Sequence, residues 1–119
     1  IVRALNDQSL ALKGSKLLLL GVAYKADIDD TRESPALKLI ELLQEQGAEV
    51  AYHDPFVPEL PERGLRSSPL DVDGVHCVVI VTAHSGIDYD ELVERSGLVV
   101  DLRNATGRNG AQNGKVWKL

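Results

Sequence analysis

Methionine is absent from these 119 residues, which open on Ile1, so the sequence is expected to be a piece of a longer polypeptide. Cysteine is almost absent as well, and Cys77 alone cannot form an internal disulfide. No run approaches the ~18 apolar residues that a membrane span requires, and no signal-peptide pattern is visible. A soluble protein of a reducing compartment, the cytoplasm, is therefore expected. Excess positive charge is also missing: 13 Lys and Arg stand against 18 Asp and Glu, a net charge of -5. That balance excludes a global basic footprint for nucleic acid or an anionic membrane surface. Any anion must then be held by a local basic site. What is present, 44% apolar and 26% charged residues, suits one ordinary domain with a real core and excludes disordered and collagen-like classes.

The apolar spacing predicts alternating strands and helices. Val2, Leu5, Leu10 and Leu12 predict the tail of a helix over Ile1 to Lys13, ended by Gly14. Lys16 to Val22, with an unbroken leucine run, fits a strand buried on both faces of a parallel sheet. Ser34-Pro35 supplies an N-cap and a first-turn proline for a helix whose apolar stripe is Ala36, Leu39, Ile40 and Leu43, closed by Gly47. Ala48 to His53 predicts a second strand. Pro55, Pro58, Pro61 and Gly64 argue against regular structure over Asp54 to Leu65. Val75 to Thr82 predicts a third strand, Asp88 to Ser96 a short helix, Leu98 to Leu102 a fourth strand and Val116 to Leu119 a fifth at an edge, after a turn over Asn109 to Gly114. The fold class is α/β, three layers with an open, mainly parallel sheet of about five strands, in the doubly wound manner.

In such sheets ligands bind beyond the carboxyl ends of the strands. The connection Ala23 to Glu33 is long against the ~2–6 residues usual there, and it holds Lys25, Asp27, Asp29, Asp30, Arg32 and Glu33. It lacks the glycine fingerprint of a dinucleotide turn, having Gly21 alone, so phosphate would have to be met by side chains. Lys25 as a point charge and Arg32 as a fork suit that role; a solvated loop whose charges pair among themselves is the other reading. Asp101-Leu102-Arg103-Asn104 places an arginine at the end of the fourth strand, aimed at a ligand or paired locally with its aspartate. His53-Asp54 and His84-Ser85 allow a metal pair or a Ser/His/Asp triad to be drawn, but neither H-E-x-x-H nor G-x-S-x-G is present. Cys77 lies in an apolar strand, a poor setting for a nucleophile.

Gly21-Val22-Ala23-Tyr24-Lys25, then Asp29-Asp30-Thr31-Arg32-Glu33-Ser34-Pro35-Ala36, then Gly47-Ala48-Glu49-Val50 leading to Asp54-Pro55, resembles the C-terminal domain of the UDP-glucose/GDP-mannose dehydrogenase family. Val81-Thr82-Ala83-His84 and Asp101-Leu102-Arg103-Asn104 are similar too, so the likeness covers nearly the whole chain. The first loop is most similar in wording to bacterial UDP-N-acetyl-hexosamine 6-dehydrogenases, with UDP-glucose 6-dehydrogenases close. The resemblance implies a Rossmann-like fold and an NAD-dependent oxidation of a UDP-sugar to a UDP-uronic acid, as used in polysaccharide biosynthesis. It implies a polypeptide of three parts: an N-terminal part binding NAD, a central helical part making a homodimer, and a C-terminal part gripping the UDP-sugar. Residues 1–13 would be the tail of the linker helix and 14–119 the UDP-binding domain. By the same likeness Tyr24 and Lys25 contact the nucleotide sugar, Arg103 its uridine diphosphate portion, and Arg32 reaches toward NAD on the other domain. The family's cysteine motif, Gly-Gly-x-Cys-x-Pro-Lys-Asp in type, is missing, so no catalytic residue is expected here and the piece alone is expected to be inactive. A receiver-like or protein-interaction module, with Asp29, Asp30 and Asp54 as an acidic cluster, is the alternative, and a hydrolase using His84 and Ser85 a further one.

Overall fold

Leu17 to Leu20 can be apolar without interruption because the strand they form, β1 (Lys16–Leu20), is covered on both faces. The computed structural model describes residues 1–23, 26–27, 31, 34–107 and 114–118. β1 pairs in parallel with β2 (Glu49–His53) on one side and with β5 (Cys77–Ile80) on the other. β6 (Val99–Asp101) and β7 (Val116–Lys118) continue the sheet, also in parallel, giving the order β2-β1-β5-β6-β7. Leu17 and Leu19 point into one apolar cluster with α1 (Val2–Asp7) and α2 (Pro35–Glu45). Leu18 and Leu20 point into the other, with Leu92 and Val93 of α3 (Tyr89–Arg95). This is the expected three-layer α/β domain, with a five-stranded parallel sheet.

The helix between β1 and β2 begins where its sequence predicts. Ser34 Oγ accepts from the N–H of Ala36 at 3.2 Å, and Pro35 occupies the first turn. Asp88 caps α3 in the same way, accepting from Glu91 N–H at 3.1 Å. Each cap satisfies a donor that the helix leaves unpaired.

Two expectations are corrected. The first helix ends at Asp7, not near Gly14: Ser9 adopts φ 61, Leu10 N–H bonds Leu5 O and Ser9 N–H bonds Asn6 O. These paired bonds around a left-handed residue stop a helix, and because serine rather than glycine takes that position the stop is poorly marked in the sequence. The proline-bearing excursion is not irregular throughout. It folds as a small antiparallel hairpin, β3 (Glu59–Leu60) with β4 (Leu65–Arg66), around a single 3₁₀ turn at Pro61–Arg63. Pro61 starts that turn, where no N–H is needed, and Ser67 and Ser68 N–H groups tie its exit to Pro58 O and Tyr52 O. The turn expected at Asn109–Gly114 lies, Gly114 apart, outside the described residues.

Candidate functional site

The sheet order reverses between β1, which connects outward to β2, and β5 on its other side. Beyond the carboxyl ends of these two strands a crevice is expected to accept ligands. The strand ends are held very close. Val81 and Thr82 N–H both donate to Leu20 O, and Thr82 Oγ1 donates to Ala23 O at 2.7 Å. Gly21, at φ +81, lies so near that a Cβ there would stand 2.3 Å from Thr82 O.

From the neighbouring strand end, Asp101 organises the turn that carries Arg103. Its carboxylate accepts the N–H groups of Arg103, Ala105 and Thr106 and the Thr106 hydroxyl. Burial alone would raise the Asp101 pKa, but the Thr106 hydroxyl and these N–H groups together hold it below the usual value. Asp101 thus orients Arg103 through the backbone instead of as an ion-pair partner for its guanidinium. Arg103 Nε donates to Val81 O at 2.7 Å, reaching from the end of β6 to that of β5. Its side chain lines a cleft of ≈ 500 Å³ with Val81, Leu102, and Pro35, Lys38, Leu39 and Leu42 of α2. The charged residues described along this cleft, Lys38 and Arg103, are both cations, a setting for an anionic ligand in an acidic chain. Of the other residues singled out in the sequence, Tyr24, Lys25 and Arg32 lie outside the described residues.

Sequence patterns flagged His53-Asp54 and His84-Ser85 separately without indicating which of them meet. Asp54 and His84 do, in the interior: His84 Nε2 donates to Asp54 Oδ2 at 2.8 Å, with both side chains fully buried. The same oxygen accepts Val22 N–H at 2.8 Å and Ala23 N–H at 3.2 Å, and Oδ1 accepts Phe56 N–H at 2.9 Å. On the other side of the ring, His84 Nδ1 accepts Asp27 N–H at 2.6 Å. The Asp27 carboxylate accepts the Ser85 hydroxyl and N–H, at 2.6 and 2.7 Å, which hold its pKa below the usual value. Only the fold reveals the pairing, since Asp54 and His84 are 30 positions apart.

This arrangement bears on the alternative readings. The Ser85 hydroxyl engages Asp27, and the imidazole lone pair that a nucleophile would need is taken by a peptide N–H, so His84 and Ser85 form no nucleophile–base pair. Asp54 is fully buried with both oxygens engaged, unlike a phospho-acceptor, which must meet its donor. His53 Nδ1 donates to Ser68 O at 2.7 Å. Cys77 is buried within β5, and burial pushes its thiol up to about 12. Its thiolate population near neutral pH is negligible, so a disulfide-exchange reagent is expected to leave Cys77 unmodified at pH 8 until denaturant is added; rapid labelling of the folded chain would contradict this.

The sequence profile described as "UDP-glucose/GDP-mannose dehydrogenase family, UDP binding domain" matches residues 18–108. The chain belongs to this family. Within the UDP-glucose/GDP-mannose dehydrogenase family it is 31% identical over 117 residues to UDP-N-acetyl-D-mannosamine dehydrogenase of Methanococcus maripaludis, covering 92% of this chain and 26% of that protein. It is also 31% identical over 111 residues to UDP-glucose 6-dehydrogenase of Rhizobium meliloti, covering 78% of this chain and 24% of the relative. Among solved structures, NDP-N-acetyl-D-galactosaminuronic acid dehydrogenase of Methanosarcina mazei superposes with a TM-score of 0.80 at 26% identity, covering 99% of this chain and 26% of that one. The chain thus spans about a quarter of the length of the relatives it matches. The region matched by the family profile contains the clamp at Gly21, the Asp54–His84 pair and the Arg103 turn.

Proposed function

We propose that this chain is the nucleotide-sugar-binding domain of an NAD-dependent dehydrogenase that oxidises a UDP-sugar to a UDP-uronic acid in the cytoplasm. Residues 14–119 form the binding domain and 1–13 the junction to a longer, homodimeric polypeptide. The observation that carries this reading is the cleft between α2 and the carboxyl ends of β5 and β6, with Arg103 in its lining, within a chain of the UDP-binding family.

Arg103 meets the diphosphate as a planar fork, Lys25 adds a compact charge and Tyr24 contacts the sugar nucleotide. Their task is positioning: holding the diphosphate fixes the sugar C6 where another domain performs the oxidation. The β1 turn of this chain does not fit a dinucleotide. The space where Gly21 lacks a Cβ is filled by Thr82, just beyond the end of β5, not left open for a pyrophosphate. NAD belongs to the rest of the polypeptide, with Arg32 reaching toward it, and the chain alone produces no NADH from UDP-sugars.

The test is a titration of the isotopically labelled chain with UDP, with UMP and NAD as controls, following amide resonances. UDP is expected to shift residues 23–34 and 101–104 more strongly than NAD does. Arg103→Ala is expected to weaken UDP binding about tenfold or more, by loss of a charge-assisted contact, while the chain stays folded with a thermal midpoint lowered by only the loss of its bond to Val81 O, about 1 kcal/mol. Equal UDP affinity in Arg103→Ala and wild type would overturn the assignment.

A further inference from the structure

We propose that the buried Asp54–His84 pair is a positioning device for the nucleotide-sugar site, holding the β1 loop on both sides of Tyr24-Lys25 only while the His84 ring is neutral. This rests on the function proposed above for Tyr24 and Lys25. Val22 and Ala23, immediately before that dipeptide, give their N–H groups to Asp54. Asp27, just after it, gives its N–H to His84. Asp54 and His84 are bonded to each other, so one buried unit anchors both ends of a three-residue span, Tyr24 to Ala26. Val22, Ala23 and Asp27 are thereby fixed where the chain enters and leaves that span, so a ligand does not have to order these flanking residues on binding.

The ring is held from every side. Phe56 packs on it with centroids 4.8 Å apart, and Tyr89 donates its hydroxyl proton to the His84 carbonyl at 3.0 Å. Asp27 sits at φ 61, an unfavourable backbone region for a non-glycine residue, kept there by His84 and the two Ser85 bonds. Among the described residues, the titratable groups facing His84 are Asp54 from the end of β2, Asp27 from the β1 loop and Tyr89 from the start of α3.

Partners on each side of the ring dictate its proton state. A carboxylate accepts at Nε2, so Nε2 carries hydrogen; a peptide N–H points at Nδ1, so Nδ1 carries none. A second proton on Nδ1 would set two donors against each other across 2.6 Å, and the Asp27 N–H would have to leave. Asp27 Oδ1, 3.9 Å from Nδ1, is the acceptor at hand, but moving to the ring means leaving Ser85. Protonation therefore releases the loop just beyond Lys25.

Two substitutions separate this device from mere packing. His84→Gln keeps a donor for Asp54 and an acceptor for Asp27 but takes up no proton; His84→Leu fills the space and offers neither. At pH 8, His84→Leu is expected to bind UDP about tenfold or more weakly, and His84→Gln to restore most of that affinity. Over the range in which the His84 ring nitrogens are seen to take up the second proton, wild type is expected to lose several-fold more UDP affinity than His84→Gln, which experiences the same titration of UDP itself. Without ligand, the Asp27 amide resonance is expected to move in step with protonation of the His84 ring nitrogens. An Asp27 amide indifferent to His84 protonation, or unchanged UDP affinity in His84→Leu, would overturn the proposal. If wild type binds no UDP at any pH, the proposed function fails, and the Asp27 titration still decides whether the ring controls the loop.

Discussion

Gly21→Ala is expected to cost about 2–5 kcal/mol of stability, a large fraction of the ~5–15 kcal/mol typical of a domain. Two penalties coincide there. The φ of +81 is strained for any residue bearing a Cβ, at about 1–2 kcal/mol. The added methyl would also lie 2.3 Å from Thr82 O and 2.5 Å from Thr82 Cβ. Neither atom is a flexible tip that can swing away, because Thr82 is buried and its hydroxyl is bonded to Ala23 O. The ends of β1 and β5 would have to separate, an overpacking cost of about 1–3 kcal/mol. Gly64→Ala is the control, with φ +66 and nothing within 4 Å of the built Cβ. Urea midpoints are expected to fall much further for Gly21→Ala than for Gly64→Ala; equal falls would mean that backbone conformation alone matters and that the clamp contributes nothing.

Asp54→Ala is expected to be comparably severe, at about 3–5 kcal/mol. The substitution leaves four buried or partly buried donors without their acceptor: the N–H groups of Val22, Ala23 and Phe56, and the Nε2–H of His84. Water cannot replace the carboxylate without opening the interior, since Asp54 and His84 have essentially no exposed surface. Asp88→Ala, which removes only the cap of α3, is expected to cost about 1 kcal/mol and sets the scale. Denaturant unfolding of both variants measures the difference. A loss for Asp54→Ala no greater than for Asp88→Ala would mean that the pair is not a structural hub.

Much of the framework is legible along the chain because it depends on neighbours. Burial on both faces makes Leu17 to Leu20 uniformly apolar, and the Ser34-Pro35 start of α2 is set by donors within its own first turn. Local signals failed where a less usual residue took a special position. Ser9 adopts the left-handed conformation that ends α1, and the prolines around Pro61 coexist with a hairpin because their missing N–H groups fall outside its pairing.

The sequence by itself determined the strand and helix alternation, the parallel sheet, the acidic balance and Arg103 at the end of β6, since periodicity and charge are properties of adjacent residues. Only the tertiary structure decided that Asp54 meets His84, that Gly21 is pressed against Thr82, and that Arg103 reaches Val81 across the sheet. Those contacts join residues 22 or more positions apart, and the order β2-β1-β5-β6-β7 brings them together by placing the ends of β1, β2, β5 and β6 side by side. A single chain records which groups can bond, but their meeting depends on the packing of the whole sheet.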